Sequence, residues 1–150
     1  MDINSKKKLV NGIEIPVLGF GVYLSPEGEV TASSVRWAVE SGYRHIDAAA
    51  IYGNERSVGE GIRTCGLPRE QLFITSKLWN DDIRKGRCKE AFTETLNRLG
   101  TDYLDLYLIH WPVDQHVQAW KVLEQLYETG KVRAIGVSNY HSQHLKELED

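Results

Sequence analysis

The chain has 150 residues, with 18 Lys and Arg against 21 Asp and Glu and a formal charge of −3. Hydrophobic residues make up 41% and charged residues 26%, which is ordinary for a globular domain and excludes a disordered, collagen-like or mucin-like chain. The near-neutral balance argues against a nucleic-acid binder that works by neutralising phosphates. A chain of this length is expected to form one domain with a sizeable core.

The cysteines and the apolar stretches limit where the protein is expected to work. Cys65 and Cys88 are too few for a disulfide framework, and no Cys/His cluster predicts zinc, so we expect two reduced thiols in a cytoplasmic protein. The basic residues 1–9 are not followed by an apolar core, so we expect no signal peptide. The longest apolar stretch, residues 103–111, is interrupted by Asp105 and is too short to cross a membrane.

The predicted elements begin with a hairpin and continue as alternating strands and helices. Asn11-Gly12 lies between apolar residues, a pattern typical of a hairpin turn in which both residues take positive φ. Strands are predicted at residues 18–23, 43–47, 72–77, 104–110 and 132–138. Helices are predicted at residues 33–41, 55 to about 63, 89–99, 119–129 and from 144 onward, with Asn54 as a cap and Gly42, Gly100 and Gly130 as helix stops.

This order describes a hairpin followed by about five βα units of roughly 30 residues each. Strands that are separated by helices pair in parallel through right-handed crossovers. The chain is therefore predicted to be an α/β protein, built either as an open doubly wound sheet or as a barrel.

Polar and aromatic side chains follow successive predicted strands. Asp47 ends the second strand, with Tyr52 in the loop beyond it, while Lys77 ends the third and His110 the fourth. In α/β folds the carboxyl ends of the strands carry function, and a closed sheet brings these ends to one rim. Each residue alone has an ordinary explanation: a loop carboxylate, a packed aromatic, a lysine that reaches water or a buried histidine.

Together these four side chains suit proton donation to a carbonyl oxygen while a hydride arrives at the carbon. A tyrosine hydroxyl holds its proton at neutral pH, and a neighbouring ammonium stabilises the phenolate that remains after transfer. A carboxylate keeps the lysine in place, and a histidine can orient the carbonyl by a hydrogen bond. The sequence contains no Gly-x-Ser-x-Gly elbow and no metalloprotease helix motif that would favour another chemistry.

Four segments resemble signatures of the aldo-keto reductase family, in that family's order and spacing. They are GYRHIDAAAIYGNE at 42–55, FITSKLW at 73–79, DYLDLYLIHWP at 102–112 and GKVRAIGVSN at 130–139. The likeness covers nearly the whole chain, and the short segment 112–120 is similar to that of the smaller microbial members. The resemblance implies a TIM (β/α)8 barrel behind an N-terminal hairpin, and NADPH-dependent reduction of aldehydes and ketones to alcohols.

The resemblance also implies roles for individual residues. Tyr52 is expected to be the general acid, Lys77 and Asp47 to tune it, and His110 to orient the carbonyl. The residues expected around the cofactor are Gly21, Val22, Asp47, Ser138 and Asn139, of which the last two would hold the nicotinamide carboxamide; no metal is expected. The residues expected in the substrate pocket are Tyr23, Trp79 and Trp111, for which ordinary packing at the barrel rim is the alternative.

The resemblance covers only the first part of such a barrel, which needs roughly 250 residues. Residues 1–150 are expected to form the N-terminal portion of a single barrel domain, without about three strands and most of the cofactor-binding surface. A complete barrel of this type is expected to be a monomer with a small carbonyl substrate and no nucleic-acid or membrane partner. The open sheet edges of the shorter chain are expected to invite self-association.

Three other interpretations remain open. The Gly-Phe-Gly at residues 19–21 begins a Rossmann-type Gly-x-Gly-x-x-Gly, but Leu24 takes the third glycine position and the predicted helix starts later. His45 and Asp47 lie on one face of a strand, and His110 could join them as metal ligands in a barrel hydrolase. The same barrel could also be a non-catalytic nucleotide-binding or interaction protein, since fold alone does not establish function.

Overall fold

The computed structural model describes residues 2–149. Strands β1 to β7 span Lys6–Lys8, Glu14–Pro16, Phe20–Gly21, His45–Asp47, Phe73–Leu78, Leu106–Ile109 and Ile135–Val137. Helices α1 to α6 span Glu29–Glu40, Glu55–Thr64, Asn80–Arg84, Cys88–Leu99, His116–Glu128 and Ser142–Glu149, and short 3-10 turns lie at Ala50–Tyr52 and Arg69–Gln71. Strand and helix alternate from β3 onward, which confirms the predicted α/β organisation.

Strands β3 to β7 form one parallel sheet in which neighbours in sequence are neighbours in space. Their order is β3-β4-β5-β6-β7, and each adjacent pair is parallel. A doubly wound nucleotide-binding sheet reverses its strand order at a switch point, and the sheet within residues 2–149 has no such reversal. The sequential order is that of a β/α barrel, so the barrel interpretation is confirmed and the Rossmann alternative is wrong.

The hairpin of β1 and β2 forms as predicted, but its turn differs from the prediction. Gly12 has a φ of 89°, whereas Asn11 does not take a positive φ. The Gly12 N–H donates to the Leu9 oxygen at 2.9 Å, and the Leu9 N–H donates to the Ile13 oxygen at 2.8 Å. These bonds describe a three-residue loop with one left-handed glycine. Asn11 Nδ2 donates to the Arg133 oxygen at 2.9 Å, just before β7, so its conformation serves a tertiary contact.

Two helix starts also depend on tertiary contacts. Helix α1 begins at Glu29, one turn earlier than predicted, and the Gly28 N–H before it donates to Ser57 Oγ of α2 at 2.6 Å. Asn54 precedes α2 as predicted, but the prediction that its side chain caps the helix is wrong. Its Nδ2 donates instead to two backbone oxygens in the loop after β3, at 2.8 and 2.9 Å. Asn54 therefore fixes that loop to the start of α2.

The other strand and helix boundaries differ from the predicted ones by a few residues. Strand β3 is limited to two residues and β7 to three, shorter than predicted. Helices α5 and α6 begin three and two residues before their predicted starts, and the five-residue α3 was not predicted. Within residues 2–149, none of the helices has the length and apolar character that a membrane crossing needs.

The core lies between the sheet and the helices that cover one of its faces. Alternate side chains of a strand point to opposite faces, and in β6 Tyr107 and Ile109 are buried whereas Leu106 and Leu108 are only partly buried. The Tyr107 ring meets Phe92 of α4 edge-on, with 5.0 Å between centroids. The helix-covered face is therefore closely packed, and the other face is the one that a barrel encloses.

Asp105 joins three strands at their amino-terminal ends. Its carboxylate is fully buried and pairs with Arg69 and Arg133, each at 2.8 Å. It also accepts the Ile74 N–H at 2.9 Å. Because the two arginines flank β5 and β7 in sequence, one carboxylate holds the ends of β5, β6 and β7 opposite the edge that carries the candidate site.

Helix α2 packs closely against its neighbours at two glycines. A Cβ built on Gly59 would collide with the backbone of Leu99, at the end of α4. A Cβ built on Gly61 would lie 2.6 Å from Val35 Cβ and 2.8 Å from the Ala32 oxygen, both in α1. These distances are shorter than van der Waals contact, so the three helices approach one another this closely only because the side chains are absent.

We expect Gly61→Ala to lower the free energy of unfolding by up to about 2 kcal/mol. Overpacking costs about 1–3 kcal/mol, which outweighs the roughly 1 kcal/mol that alanine gains over glycine inside a helix. Urea unfolding measures the change, with Arg63→Ala on the exposed face of α2 as the control, expected to stay within about 0.5 kcal/mol of the parent. A stabilised Gly61→Ala protein would contradict the close approach of α1 and α2.

Candidate active site

The parallel ladder brings the ends of β4, β5 and β6 together. Asp47 is paired in register with Thr75, and Lys77 lies two residues further along β5 and is paired with Leu108. Side chains two residues apart on a strand share a face. Asp47 and Lys77 therefore point to the same side of the sheet, the side that helices do not cover, and His110 follows directly after β6.

Lys77 and Asp47 form an ion pair at this edge. Lys77 Nζ donates to Asp47 Oδ1 at 2.5 Å and to the Ala48 oxygen at 2.9 Å. The Lys77 side chain is 8% exposed and that of Asp47 34%. An ammonium removed from water is costly unless it is paired. The pair thus holds the Lys77 ammonium at a defined place, while the Asp47 carboxylate still reaches solvent.

Tyr52 lies next to this ammonium, on the 3-10 turn that follows β4. The turn ends at Gly53, whose φ of 68° is readily adopted by glycine. Lys77 Nζ lies 5.2 Å from the centroid of the Tyr52 ring. The same ring lies 5.0 Å from that of Tyr23 and 5.8 Å from that of His110, between centroids. Tyr52 is therefore held between a cation, an aromatic ring and an imidazole.

His110 is buried among aromatic rings. It lies 5.4 Å from Trp79 edge-on and 6.5 Å from Trp111 in a nearly parallel arrangement, between centroids. Its Nδ1 is buried and has no hydrogen-bond partner within residues 2–149. Burial, followed by the charge of Lys77, lowers the pKa of His110. The imidazole is thus neutral at neutral pH and offers one N–H donor for a substrate oxygen.

Ser138 and Asn139 meet this group from the end of β7. Asn139 has a φ of 61°, and its Nδ2 donates to the His110 oxygen at 2.9 Å and to Ser138 Oγ at 3.1 Å. The Asn139 side chain is exposed beside the partly buried Ser138. These bonds leave the Asn139 side-chain oxygen and the Ser138 hydroxyl as polar groups at the end of β7, where they can hydrogen-bond a polar ligand group.

The structure brings the sequence-predicted site residues to one edge of the sheet. Val22 is buried and its N–H donates to the Asp47 oxygen at 3.2 Å, while a Cβ at Gly21 would meet nothing within 4 Å. Tyr23 and Trp111 are 68% and 43% exposed, so large parts of both rings face open space at this edge. The predicted residues at this edge are Gly21, Val22, Tyr23, Asp47, Tyr52, Lys77, Trp79, His110, Trp111, Ser138 and Asn139.

Two residues beside the site were not recognised as site residues from the sequence. The sequence pattern predicts a helix cap at Asn54 and only a helix start at Glu55. Both are buried, and both bind elements that carry site residues. The available signal was their position directly after Tyr52 and Gly53, since polar side chains in a segment that reaches the core need buried partners.

The proposed metal ligands do not come together. His45 Nε2 lies 2.9 Å from Thr75 Oγ1, and its ring packs edge-on against Phe73. Burial lowers the pKa of His45. No three His, Cys, Asp or Glu side chains within the described range 2–149 are grouped so that they could hold a metal ion.

The fold and the site define a β/α-barrel protein whose polar and aromatic groups converge at the carboxyl ends of its strands. The sequence profile of the Aldo/keto reductase family matches residues 19–150, and the chain belongs to this family. It is 53% identical to the 9,11-endoperoxide prostaglandin H2 reductase of Trypanosoma cruzi (strain CL Brener) over 141 residues, which is 93% of this chain and 50% of that protein. It is also 53% identical to the glyoxal reductase of Bacillus subtilis (strain 168) over 142 residues, 94% of this chain and 51% of that protein.

A solved structure gives the same result for the fold. The aldo-keto reductase of Bombyx mori, solved in complex with NADP, superposes with a TM-score of 0.88 at 34% identity, covering 99% of this chain and 55% of that one. The chain thus spans about half the length of the relatives it matches. The expected likeness to the first part of a TIM barrel of this family is confirmed.

The lowered pKa of His110 predicts that the protein loses stability in mild acid. In the unfolded chain a histidine binds its proton near pH 6.5, whereas folded His110 resists protonation until a lower pH. The contribution of His110 to the free energy of unfolding is complete above about pH 6.5. It is lost as the pH falls toward the pKa of folded His110, because the unfolded state then binds more protons. The pKa of His45 is also lowered, so His45 adds to the same loss of stability in acid.

Urea unfolding at about pH 7 and about pH 5 measures this loss. Replacement of His110 by Gln is expected to make the loss smaller while leaving the part due to His45. If His110→Gln loses as much stability between the two pH values as the parent does, His110 is not held neutral by the fold.

Proposed function

We propose that this chain carries the catalytic side chains of a carbonyl reductase that uses NADPH to reduce small aldehydes and ketones to alcohols. The observation that carries the proposal is the position of Tyr52, whose ring lies 5.2 Å from Lys77 Nζ and 5.8 Å from the His110 ring. A phenol beside a fixed ammonium and a neutral imidazole is arranged to donate a proton to an oxygen that gains negative charge.

Each side chain has a separate task in the proposed reaction. The N–H of His110 binds the carbonyl oxygen and orients it toward Tyr52. Tyr52 donates its proton to that oxygen, and the Lys77 ammonium stabilises the phenolate that remains. Asp47 holds Lys77 by the 2.5 Å contact, so the ammonium needs no rearrangement during the transfer. A bound nicotinamide cofactor supplies the hydride that reaches the carbonyl carbon.

Cofactor binding is proposed for the strand ends around this group. Asn139 and Ser138 would hold the carboxamide through their amide and hydroxyl, and the exposed part of the Asp47 carboxylate can accept a hydrogen bond from a cofactor hydroxyl. Gly21 and Val22 would line the same mouth, where a Cβ on Gly21 meets no other atom within 4 Å. The NADP in the Bombyx mori structure supports the choice of NADPH.

Small carbonyl compounds are the proposed substrates. The exposed aromatic surfaces of Tyr23 and Trp111, with the partly buried Trp79 beside His110, suit a short apolar or planar substrate, and the similar Bacillus subtilis protein is a glyoxal reductase. Cys65 and Cys88 are free thiols, which supports the proposal that the protein works in the reducing cytoplasm. We propose no nucleic-acid or membrane partner for this function.

Tyr52→Phe tests the proposal directly. In the protein with the complete barrel, removing the hydroxyl is expected to lower kcat with NADPH and glyoxal by about 10²- to 10⁴-fold, because proton donation is lost. NADPH binding, followed by quenching of tryptophan fluorescence, is expected to stay near the parent value. The control is Tyr43→Phe, the same change two residues before β4, which is expected to retain turnover. NADPH binding without oxidation in the parent would indicate a non-catalytic binding protein.

Lys77→Met tests the role of the ammonium. The methionine keeps an unbranched apolar stem but loses the charge beside Tyr52, so phenolate stabilisation is removed. We expect a lower kcat and a changed dependence of kcat on pH, measured by NADPH oxidation across the pH range. A Lys77→Met enzyme with the parent's pH–rate profile would show that Lys77 and Tyr52 do not act together.

A further inference from the structure

A buried carboxylate that the proposed mechanism does not use lies behind the catalytic strand. Glu55 is the first residue of α2, and its side chain is 0% exposed. It accepts hydrogen bonds from Ser76 Oγ at 2.6 Å, Arg98 Nε at 2.7 Å and Thr95 Oγ1 at 3.3 Å. These partners belong to two elements, since Ser76 is in β5 and the other two are in α4.

Stability is a weak explanation for such a group. The desolvation of a buried ion pair roughly offsets its attraction, and apolar side chains of similar volume are often equally stable. Not every buried polar group near Glu55 has a hydrogen-bond partner either: the buried Tyr107 hydroxyl has none within residues 2–149. Burial, and then the Glu55 carboxylate, raises the pKa of Tyr107 well above its usual value.

The geometry suggests a different task for Glu55. Ser76 and Lys77 are successive residues of β5, so their side chains point to opposite faces of the sheet. Ser76 meets Glu55 on the helix-covered face, while Lys77 meets Asp47 and Tyr52 on the other face. Glu55 in turn follows Tyr52 by three residues, after the turn that ends at Gly53. One hydrogen bond therefore links the segment that carries Tyr52 to the strand position next to Lys77.

We propose that Glu55, acting through its hydrogen bond from Ser76, is a positioning residue that sets the separation between Tyr52 and Lys77. Its importance for catalysis rests on the proposed function, whereas its effect on this separation does not. A displacement of about 1 Å between reacting groups can cost up to about 100-fold in rate. The contact on the helix-covered face thus determines how well Lys77 can act on Tyr52.

Two substitutions separate positioning from general stabilisation. Ser76→Ala removes the bond that reaches β5 and leaves Glu55 with Arg98 and Thr95. Thr95→Val removes the other hydroxyl on the same carboxylate, at an equally buried position, and leaves the bond to Ser76. If Ser76→Ala does not fold, Ser76→Cys carries the same test, because a thiol is only a weak donor.

The first measurement is the nuclear Overhauser cross-peak between the Tyr52 ring protons and the Lys77 ε-methylene, in the intact protein without cofactor or substrate. We expect Ser76→Ala to lose most of this cross-peak and Thr95→Val to retain it. A retained cross-peak in Ser76→Ala overturns the proposal, and so does an equal loss in both variants, which would show general loosening of the fold.

The second measurement is NADPH oxidation with glyoxal, made on the protein with the complete barrel. Ser76→Ala is expected to lower kcat about 10-fold with little change in KM and to alter the pH–rate profile, whereas Thr95→Val is expected to keep the parent's profile. A parent protein without activity would contradict the proposed function alone, since the cross-peak still decides the positioning role. An active Ser76→Ala enzyme with the parent's kcat and pH profile overturns the catalytic part of the inference.

Discussion

The ion pair between Lys77 and Asp47 is the interaction on which the candidate site depends. An ammonium as little exposed as that of Lys77 needs a partner, and its partners, the Asp47 carboxylate and the Ala48 oxygen, both come from the segment that ends β4. The parallel register places Asp47 and Lys77 on one face, so the backbone ladder determines that the pair can form. Tyr52 and His110 lie beside the cation that this pair holds at the edge of the sheet.

One face of the sheet packs against helices, and the other face carries the polar groups of the candidate site. On the helix-covered face, β6 contributes Tyr107 to a core that α4 completes through Phe92. On the opposite face, the strand ends carry the partly exposed Asp47 carboxylate and the buried Lys77 ammonium and His110 imidazole. Because consecutive residues of a strand alternate between the faces, a contact on the packed face can position a group on the reactive face, as Ser76 does for Lys77.

Much of the fold and of the site could be predicted from the sequence because both depend on local patterns. Helix periodicity located α2, α4 and α5 to within a few residues, and the rule that function gathers at strand ends located Asp47, Lys77 and His110. The patterns did not show that Gly28 is satisfied by Ser57, which begins α1 a turn early. Nor did they show that the Asn54 side chain binds the loop after β3 rather than α2. Those bonds join segments far apart in the sequence, which periodicity does not relate.

The sequence by itself determined the alternation of strand and helix, the residues at the strand ends and the chemistry that those residue types allow. These follow from side-chain periodicity and from the functional groups, both of which are properties of single segments. Only the tertiary structure decided that the strands are ordered sequentially and that Lys77 bonds Asp47. It alone also placed the Glu55 carboxylate behind β5. Pairing, register and burial are relations between segments, so they exist only after the chain has folded.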